Sequence, residues 1–366
     1  MKIVSLLRSN PKDSAFGKVL IALSKEYKIN CYIWDRDNYF TPFFHHDNIN
    51  YKKFKLLSGY YNLKTLIKLI SFDIWLFLNL IMSKTDYIHA IDLDTGIVGL
   101  LVAKIKNVPF VYQCLDPYYA NLPAKWPKML GDIACRLESW LISTSDLFII
   151  TDCLRMPQHL GAKPKRIMEF ANVPYNFPAM QKNVHEGYLV GYIGSLIEGR
   201  NLFNIINVVG ELNSYGIRLI IGGFGPLESE IKSESMKYDN VSYIGWVQYD
   251  EVLKLENTFD VIIHTTDPNN ENQKWVSPNK LFESMALGKP IIVSEGTLSA
   301  ERVRIAGCGL VIKYGSKEEL KEAFLKLKND HGLTEKLGRC GREEHSKKWN
   351  WSIMEKKLLD AYQRVG

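Results

Sequence analysis

The sequence of 366 residues lacks the features by which secreted, metal-binding and membrane-spanning proteins are recognised. Its six cysteines form no CxxC pair and no Cys/His cluster with metal-ligand spacing, and no signal peptide precedes the first apolar run. The best candidate for a membrane span, Leu69–Met82, has only 14 residues and contains Asp73 and Asn79. We therefore expect a chain that stays in a reducing cytoplasm, does not cross a membrane and holds no metal ion.

A large excess of charge of one sign is also missing. Lys and Arg number 46 and Asp and Glu number 40, which gives a formal net charge of +6. The excess lies in residues 1–180, with 22 basic and 15 acidic side chains, whereas residues 181–366 carry 24 and 25. This distribution predicts an anionic surface or substrate for the N-terminal half, but it is too mild for a dedicated nucleic-acid binder.

A glycine-rich dinucleotide fingerprint is absent from the first predicted βα turn, Ser9–Asp13, which makes a nicotinamide-dependent dehydrogenase the least favoured enzyme class. Internal repeats and low-complexity tracts are absent too. What is present is the composition of an ordinary folded protein, with 46% hydrophobic and 23% charged residues. The length predicts two domains.

Short apolar runs recur along the chain with helical stretches between them, a pattern typical of strands buried on both faces of a parallel sheet. The first set comprises Ile3–Leu7, Cys31–Trp34, Tyr87–Ile91, Pro109–Cys114, Leu147–Thr151 and Ile167–Phe170. The second set comprises Tyr188–Ile193, Leu219–Gly222, Val241–Ile244, Val261–His264, Ile291–Val293 and Leu310–Ile312. We predict an α/β protein with two doubly wound domains, residues 1–180 and 181–345, whose ligands bind at the carboxyl ends of strands. Residues 346–366 follow, and in them Ser352–Val365 has the spacing of an amphipathic closing helix.

The segment Trp275–Pro290 has the pattern of a capped helix that follows a strand. Ser277 suits the N-cap, Pro278 the first helical position and Gly288 the C-terminal cap. The N–H groups from Asn279 onward would then be free to hold an anion.

Two side chains of this helix favour a nucleotide as the anion. Lys280 opposes the helix dipole, which is favourable where a phosphate lies between the ammonium and the helix end. Glu283 shares a face with Asn279 and Lys280 and is placed to accept hydrogen bonds from ribose hydroxyls. The alternative is an ordinary capped helix with a solvated Glu283, and the segment alone fits both.

Two glycine-containing segments follow predicted strands of the second domain. In Gly191–Asn201 the glycines would let backbone N–H groups approach a pyrophosphate, with Arg200 as a forked contact. A tight turn with a surface arginine is the simpler interpretation of this segment taken alone. Gly222–Pro226 lacks the full G-x-G-x-x-G pattern of a dinucleotide site.

In their order and spacing these segments resemble glycosyltransferase family 4, in particular its polysaccharide-biosynthesis members. The matching residues in the second half are Gly194, Arg200, Gly222–Pro226, Gly245–Val247, Ser277–Glu283 and Ala286–Pro290. Those in the first half are Asp13, Trp34–Arg36, His89–Asp94, Tyr112, Asp116 and Ala171–Pro174. The resemblance covers nearly the whole chain. It implies the GT-B architecture, with two Rossmann-like domains facing each other across a cleft and a C-terminal helix that returns to the N-terminal domain. It also implies retaining, metal-independent transfer from a nucleotide-diphosphate sugar, with no further cofactor.

The resemblance implies roles for individual residues. Glu283 matches the second glutamate of the family's Glu–seven residues–Glu motif and would hold the donor's ribose. Arg200 stands where the family usually has a phosphate-binding lysine, a change that preserves the charge. Three positions depart from the pattern: Ser195 replaces a frequent arginine, Trp275 the first glutamate and Leu115 a frequent histidine.

The predicted site has a donor side and an acceptor side. The donor nucleotide and diphosphate are assigned to Gly194, Ser195, Arg200, Gly223, Gly225, Trp246, Val247, Ser277, Asn279, Lys280 and Glu283. Asp116 and Glu283 are the candidate catalytic residues, and Asp13, Asp92 and Asp116 are assigned to the acceptor side. The pair Asp92 and Asp94 mimics the metal-binding motif of another glycosyltransferase fold, but no partner ligands accompany it, and we interpret it as structural or acceptor-side.

Residues 51–70 combine basic and aromatic side chains and contain no acidic residue. The basic residues are Lys52, Lys53, Lys55, Lys64 and Lys68. Such a segment suits an anionic membrane surface, at about 1 kcal/mol per lysine near the headgroups. The alternative is the solvated face of a first-domain helix. Peripheral attachment to the inner face of the cell membrane fits an enzyme with a lipid-linked acceptor.

The expected function is a hexosyltransferase that uses a UDP- or GDP-sugar to extend a lipid-linked oligosaccharide in surface polysaccharide biosynthesis. A nucleotide-sugar epimerase of the same architecture is the alternative among enzymes. A catalytically silent, nucleotide-sugar-binding partner subunit is the alternative outside them, and Trp275 and Leu115 are the residues that favour it.

Overall fold

The computed structural model describes residues 1–11, 14–42, 45–59, 63–122, 127–175 and 186–366, with the backbone alone at Leu63, Lys64, Leu66 and Asn121. The predicted site residue Asp13 and the side chain of Lys64 lie outside the described residues. The chain divides into two compact units, Met1–Asn172 with Met354–Gly366, and Val173–Ile353.

The predicted domain boundaries were residues 180 and 345, whereas the units divide after Asn172 and Ile353. The rings of Tyr175 and Trp351 pack edge to face with their centroids 5.2 Å apart. The residues just after the first division and just before the second therefore pack together within the second unit.

The first unit is built on a parallel sheet with the strand order β3-β2-β1-β4-β5-β6-β7 among its described residues. The strands are β1 (Ile3–Arg8), β2 (Lys28–Asp35), β3 (Ile49–Lys55), β4 (Tyr87–Ile91), β5 (Phe110–Cys114), β6 (Leu147–Ile150) and β7 (Ile167–Glu169). Its helices are α1 (Ser14–Ser24), α2 (Leu63–Met82), α3 (Leu93–Lys106) and α4 (Lys128–Thr144), with 3₁₀ turns at Tyr118–Asn121 and Cys153–Gln158. Side chains of α2, α3 and α4 share one buried core with the sheet.

The second unit repeats this plan with the strand order β10-β9-β8-β11-β12-β13, again parallel. The strands are β8 (Tyr188–Ile193), β9 (Ile217–Gly222), β10 (Val241–Tyr243), β11 (Val261–His264), β12 (Ile291–Ser294) and β13 (Gly309–Ile312). The helices are α5 (Leu202–Glu211), α6 (Glu228–Ser235), α7 (Tyr249–Glu256), α8 (Glu271–Lys274), α9 (Asn279–Leu287), α10 (Leu298–Ala306), α11 (Lys317–Asn329) and α12 (His331–Lys347). A 3₁₀ turn at Asn213–Tyr215 leads into β9.

The closing helix α13 (Trp351–Val365) confirms the predicted amphipathic helix. Its apolar side chains Met354, Leu358 and Tyr362 are fully buried. The Tyr362 hydroxyl lies 2.6 Å from Nδ1 of His89 on β4, so the end of the chain packs within the first unit.

The prediction of two doubly wound parallel sheets is confirmed, and each predicted strand is present. The strand that the sequence analysis missed is β3, whose residues 51–55 fall in the lysine-rich segment. This strand lies at the edge of its sheet and is only half-buried, so it has no continuous apolar run, and lysines are typical of such edges. A solvated helix face is therefore wrong for these five residues.

In each sheet the strand order reverses next to the first strand of the unit, between β1 and β4 and between β8 and β11. In open parallel sheets, ligands bind outside the carboxyl ends of the strands at such a switch point. No helix in the described parts of the chain combines the length and the hydropathy that crossing a bilayer requires.

Candidate active site

A cavity of about 280 Å³ opens at the carboxyl edge of the second sheet, beside the switch point. The predicted donor-site residues that line it are Gly194, Ser195, Gly223, Trp246, Val247, Asn279, Lys280 and Glu283. Arg200, Gly225 and Ser277 are not among the residues that line it. Residues from the ends of β8, β9 and β10 and from the first turn of α9 thus meet in one cavity.

Two glycines allow the loops after β8 and β9 to approach each other. A Cβ atom on Gly223 would lie 1.8 Å from the carbonyl oxygen of Gly194, and the φ of Gly223 is +132°. A Cβ atom on Gly194 would lie 2.2 Å from Nζ of Lys280. The missing side chain at Gly194 therefore makes room for the Lys280 ammonium at the end of β8.

Helix α9 begins one residue later than the cap pattern predicts. Pro278 has extended backbone angles, φ −80° and ψ 142°, and occupies the N-cap, so Asn279 is the first helical residue. The prediction of Ser277 as the N-cap is wrong, and its buried Oγ makes no hydrogen bond within the described structure. The prediction of Gly288 as the C-cap is confirmed, with a left-handed φ of 64°. Because proline has no side-chain acceptor, Pro278 cannot cap the first-turn N–H groups.

Glu283 is 3% exposed, so the alternative of a solvated Glu283 is wrong. It lies one turn into α9, and the electrostatic field of its carboxylate acts on Lys280, Glu256 and Tyr249. A buried carboxylate on a cavity wall can accept hydrogen bonds from the hydroxyl groups of a ligand.

Burial and the neighbouring carboxyl groups act on the pKa of Lys280 in opposite directions. Burial lowers its pKa, the carboxyls of Glu283 and Glu256 oppose that shift, and the charge of Arg200 adds to it. Its Nζ lies 5.1 Å from the centroid of the Tyr192 ring. A second anion beside this ammonium would favour its charged form.

Glu256, the last residue of α7, was missed by the sequence analysis. It is fully buried, and neither carboxyl oxygen has a hydrogen-bond partner among the described residues. Burial and the neighbouring Glu283 raise its pKa well above the usual range. The available signal was its spacing, since Glu256 follows the buried residues Val252 and Leu253 on the inner face of the helix.

Arg200 lies beside the end of β11. Its Nη1 is 3.4 Å from Nε2 of His264, and its carbonyl oxygen accepts a hydrogen bond from Oγ1 of Thr265 at 2.9 Å. Burial and the charges of Arg200 and Lys280 hold the pKa of His264 well below its usual range. The imidazole is therefore neutral, and its Nε2 accepts from the guanidinium and orients it.

Trp275, which the resemblance aligns with a first glutamate, follows α8 directly. Its indole Nε1 donates to Oε2 of Glu271 at 3.1 Å, and Nζ of Lys274 lies 5.4 Å from the ring centroid. A carboxylate and an ammonium thus both contact the ring at the position of the first glutamate.

Asp92, which is predicted for the acceptor side, and its neighbour Asp94 lie at the switch point of the first sheet. Asp92 follows β4 with a positive φ of 63°, pairs with Arg8 and accepts from the Leu115 N–H at 2.9 Å. Burial raises the pKa of Asp92 to about 6, and the charge of Arg8 opposes that shift. Asp94 accepts from Oγ of Ser9 at 2.5 Å. These partners position both carboxylates within the unit.

Asp116 follows β5 and projects outward. Nη2 of the buried Arg155 donates to its Oδ1 at 2.9 Å, while its side chain remains 65% exposed. Arg155 also donates to the Leu115 carbonyl oxygen at 2.7 Å. Arg155, a positioning residue that the sequence analysis missed, thus fixes an accessible carboxylate at the end of a strand.

The fold also gathers a buried cluster from distant parts of the first unit. Donor atoms of Cys114, Glu138 and His159 lie within 4.8 Å of one another, a grouping that could hold a metal ion. Tyr112 and Cys114 donate to Oε1 of Glu138 at 3.3 and 3.5 Å. Spacing along the chain did not anticipate this cluster.

The lysines predicted to face a membrane lie on the edge strand and on α2. Lys52 Nζ lies 3.5 Å from the Tyr32 hydroxyl, and Lys53 Nζ donates to the Phe40 carbonyl at 3.2 Å. Lys68 donates to the carbonyl of Leu57, and Lys55 is exposed.

Comparison with known proteins shows which family model the second unit is similar to. Residues 177–344 match the family model described as glycosyl transferases group 1. The second unit carries a glycosyltransferase domain. The capsular polysaccharide biosynthesis glycosyltransferase CapM of Staphylococcus aureus is 25% identical over 192 residues, 50% of this chain and 47% of CapM. The chain spans about half the length of the curated relatives it matches, 47% of one and 44% of another.

Solved structures with the same fold cover the whole chain. Sucrose-phosphate synthase from Thermosynechococcus elongatus superposes with a TM-score of 0.76 at 13% identity, over 100% of this chain and 99% of its own. HepE from Anabaena, solved in complex with UDP, superposes with a TM-score of 0.75 at 16% identity over 100% of both chains. The predicted GT-B fold of two Rossmann-like units is confirmed.

Proposed function

We propose that this protein is a retaining, metal-independent hexosyltransferase that transfers a sugar from a nucleotide-diphosphate donor to a lipid-linked saccharide in surface polysaccharide biosynthesis. The observation that carries the proposal is the placement of Lys280 and the buried Glu283 together in the first turns of α9, on the wall of a cavity at the carboxyl edge of the second sheet. The glycosyltransferase domain at residues 177–344 supports it.

In this proposal the cavity binds the donor by its nucleotide. Glu283 accepts hydrogen bonds from the ribose hydroxyls, and Lys280 and the first turn of α9 hold the diphosphate. Arg200, oriented by His264, adds a second cation. UDP is the first ligand to test, because the structural neighbour HepE was solved with UDP.

The transfer itself exchanges one bond of the anomeric carbon. The bond to the phosphate oxygen breaks, the acceptor hydroxyl oxygen bonds to the same carbon from the same face, and its proton passes to the leaving diphosphate. The negative charge that develops on the leaving group is stabilised by Lys280, Arg200 and the start of α9. Asp116 and Asp92 are proposed to contact the acceptor, and so is Asp13.

The acceptor and its location are proposed on separate grounds. The name of CapM supports polysaccharide biosynthesis. A lipid-linked acceptor would require the enzyme to work at the inner membrane surface, where Lys52, Lys53 and Lys55 on the edge strand, with Lys64 and Lys68, would face anionic headgroups.

The test is a thermal-shift panel with UDP, GDP, UDP-sugars, GDP-sugars and NAD, run without divalent metal on the wild type and on Glu283→Ala. A ligand at about 100 times its dissociation constant adds roughly 2.7 kcal/mol to the stability of the unit that binds it. We expect a shift with UDP or GDP that Glu283→Ala abolishes. Glu230→Ala, which removes an exposed glutamate from α6, is the matched control and should keep the shift.

Three other outcomes would redirect the proposal. A shift with NAD alone would exclude a nucleotide-sugar donor. No shift with any nucleotide would contradict the proposed nucleotide-sugar donor. Conversion of one UDP-sugar into another without acceptor would favour the epimerase, whereas slow hydrolysis of the donor would support a transferase.

A further inference from the structure

Helix α2 turns a row of large aliphatic side chains outward. The side chains at the outermost positions are between 50% and 77% exposed, and they are Ile67, Ile70, Ile74, Leu78 and Met82. Their spacing of three or four residues places them on one face of the helix. At 1.5 Å per residue this stripe is about 22 Å long.

The inner face of α2 is apolar as well. Phe72, Leu76 and Leu80 are fully buried in the core of the first unit. A helix that is hydrophobic all round is normally covered on both sides, and an extended exposed apolar patch marks an interaction site. We therefore expect that another molecule covers the outer face of α2.

The outward stripe continues onto the neighbouring helices. Ile97, Leu101 and Ile105 on α3 are 44–56% exposed, and Trp140 on α4 is 51% exposed. Helix α2 packs beside α3 and α3 beside α4, and all three cover the same face of the first sheet. We call the exposed aliphatic residues of α2 and α3, together with Trp140, the apolar face.

Lysines lie at the ends of α2 and α3, beside the apolar face, and the exposed acidic residues nearest to it in sequence are Asp86 after α2 and Asp132 on α4. Lys84 just after α2 and Lys104 in the last turn of α3 are exposed, and Lys68 lies near the start of α2. Among the described side chains of α2 and α3 no exposed residue is acidic: Asp73 is half-buried, and Asp94 accepts a hydrogen bond from Ser9. Aliphatic side chains bordered by lysines and an exposed tryptophan are typical of a helix that lies in a bilayer interface.

We infer that the apolar face lies in the boundary between headgroups and acyl chains of an anionic bilayer, with α2 parallel to the membrane plane. The buried residues of α2 anchor the helix to the sheet, so only its outer stripe is available to lipid. The inference rests on the proposed function only for the membrane-bound acceptor. It assigns the main contact to aliphatic side chains of α2 and α3, with the lysines as an electrostatic addition.

The test uses the full chain and sedimentation with vesicles of phosphatidylglycerol and phosphatidylcholine. Two variants remove aliphatic side chains from the face, Ile70→Gln with Ile74→Gln on α2, and Ile97→Gln with Leu101→Gln on α3. The control is Ile305→Gln on α10 of the second unit, where the side chain is 59% exposed. We expect about tenfold or greater weakening for each double variant and no change for the control.

Circular dichroism melting identifies any variant that fails to fold. If the double variant on α2 does not fold, the double variant on α3 still tests the inference. Equal sedimentation of wild type and both face variants overturns the inference, as does a wild type that binds no vesicles. The inference is also overturned if the wild type is a dimer that binds no vesicles and both face variants are monomers. In that case the apolar face contacts a second copy of the chain. The inference is overturned as well if vesicle binding is normal in the face variants and is lost only when Lys52→Gln, Lys53→Gln and Lys55→Gln are combined.

The nucleotide test separates this inference from the proposed function. The face variants should keep the UDP shift, because the apolar face belongs to the first unit and the donor cavity to the second. Vesicle binding without any nucleotide shift would overturn the proposed function and support the apolar face.

Discussion

The carboxyl group of Glu256 lies at the end of α7 without a hydrogen-bond partner among the described residues, and Glu283 and Lys280 are its charged neighbours. Burial makes ionisation unfavourable, and the nearby Glu283 adds repulsion, so the pKa of Glu256 in the folded protein is raised well above its usual range. In the unfolded chain the same carboxyl ionises near its usual pKa. Folding therefore favours proton uptake at this residue.

This uptake predicts a pH-dependent effect of Glu256→Gln. The folded pKa is raised, so the wild type loses stability as the pH rises from the unfolded pKa towards the folded one, by up to about 1.4 kcal/mol per pH unit. The neutral glutamine does not titrate. We expect the free energy of unfolding of Glu256→Gln, measured with urea, to gain on the wild type between pH 5 and pH 8.

The matched control for this measurement is Glu230→Gln, which changes an exposed glutamate of the same unit and should follow the wild type at each pH. A Glu256→Gln variant that is less stable than the wild type by the same amount at pH 5 and pH 8 would contradict the argument. It would show an ionised Glu256 paired with Lys280.

At the scale of elements, the closing helix is tied to the first unit by one buried hydrogen bond. The Tyr362 hydroxyl donates to Nδ1 of His89, whose Nε2 lies 3.1 Å from Oε1 of Gln113. Burial lowers the pKa of His89 to about 3, so the ring stays neutral and can accept from the tyrosine. The stability contributed by this neutral ring is complete above the unfolded pKa of about 6.5 and is lost as the pH falls towards 3.

Tyr362→Phe should lower the free energy of unfolding of the first unit by about 1–2 kcal/mol at neutral pH, because Nδ1 of His89 loses its donor in a buried position. Urea unfolding monitored by tyrosine and tryptophan fluorescence measures the change. Tyr215→Phe alters a tyrosine that is 50% exposed and should leave the stability unchanged. Equal stability of wild type and Tyr362→Phe would mean that apolar packing alone holds α13.

At the scale of the whole molecule, the described residues of the two units contribute to separate hydrophobic cores. One core is formed by residues of β8 to β13 and their helices, and the other by residues of β1 to β6 with α2, α3 and α4. The described residues that line the cavity at the carboxyl edge of the second sheet all belong to the second unit. A ligand that binds there stabilises the unit that holds it.

Calorimetry should therefore show two unfolding transitions. UDP should raise the midpoint temperature of one transition and leave that of the other unchanged. Glu283→Ala should remove the shift of the transition that UDP moves. A single transition, with the same midpoint by calorimetry, fluorescence and circular dichroism, would contradict independent unfolding of the units.

The sequence by itself determined the described strands other than β3, the two doubly wound sheets and most of the lining of the cavity at the carboxyl edge of the second sheet. These features follow from local patterns: buried parallel strands appear as continuous apolar runs, and a glycine at a strand end followed by a helix start marks a ligand edge. Gly194, Lys280 and Glu283 were found for this reason. The cap of α9 was misplaced by one residue because both Ser277 and Pro278 fit the start of a helix.

The tertiary structure decided what depends on neighbours far along the chain. The edge strand β3 has no apolar run, so only its pairing with β2 identifies it. Glu256 is an ordinary glutamate in the sequence, and its pKa is raised only because Glu283 and the core surround it. Leu69–Met82 has apolar residues on all sides, and the sheet decides which of them are buried and which form the apolar face. Burial is a property of the packed chain, and local sequence patterns do not contain it.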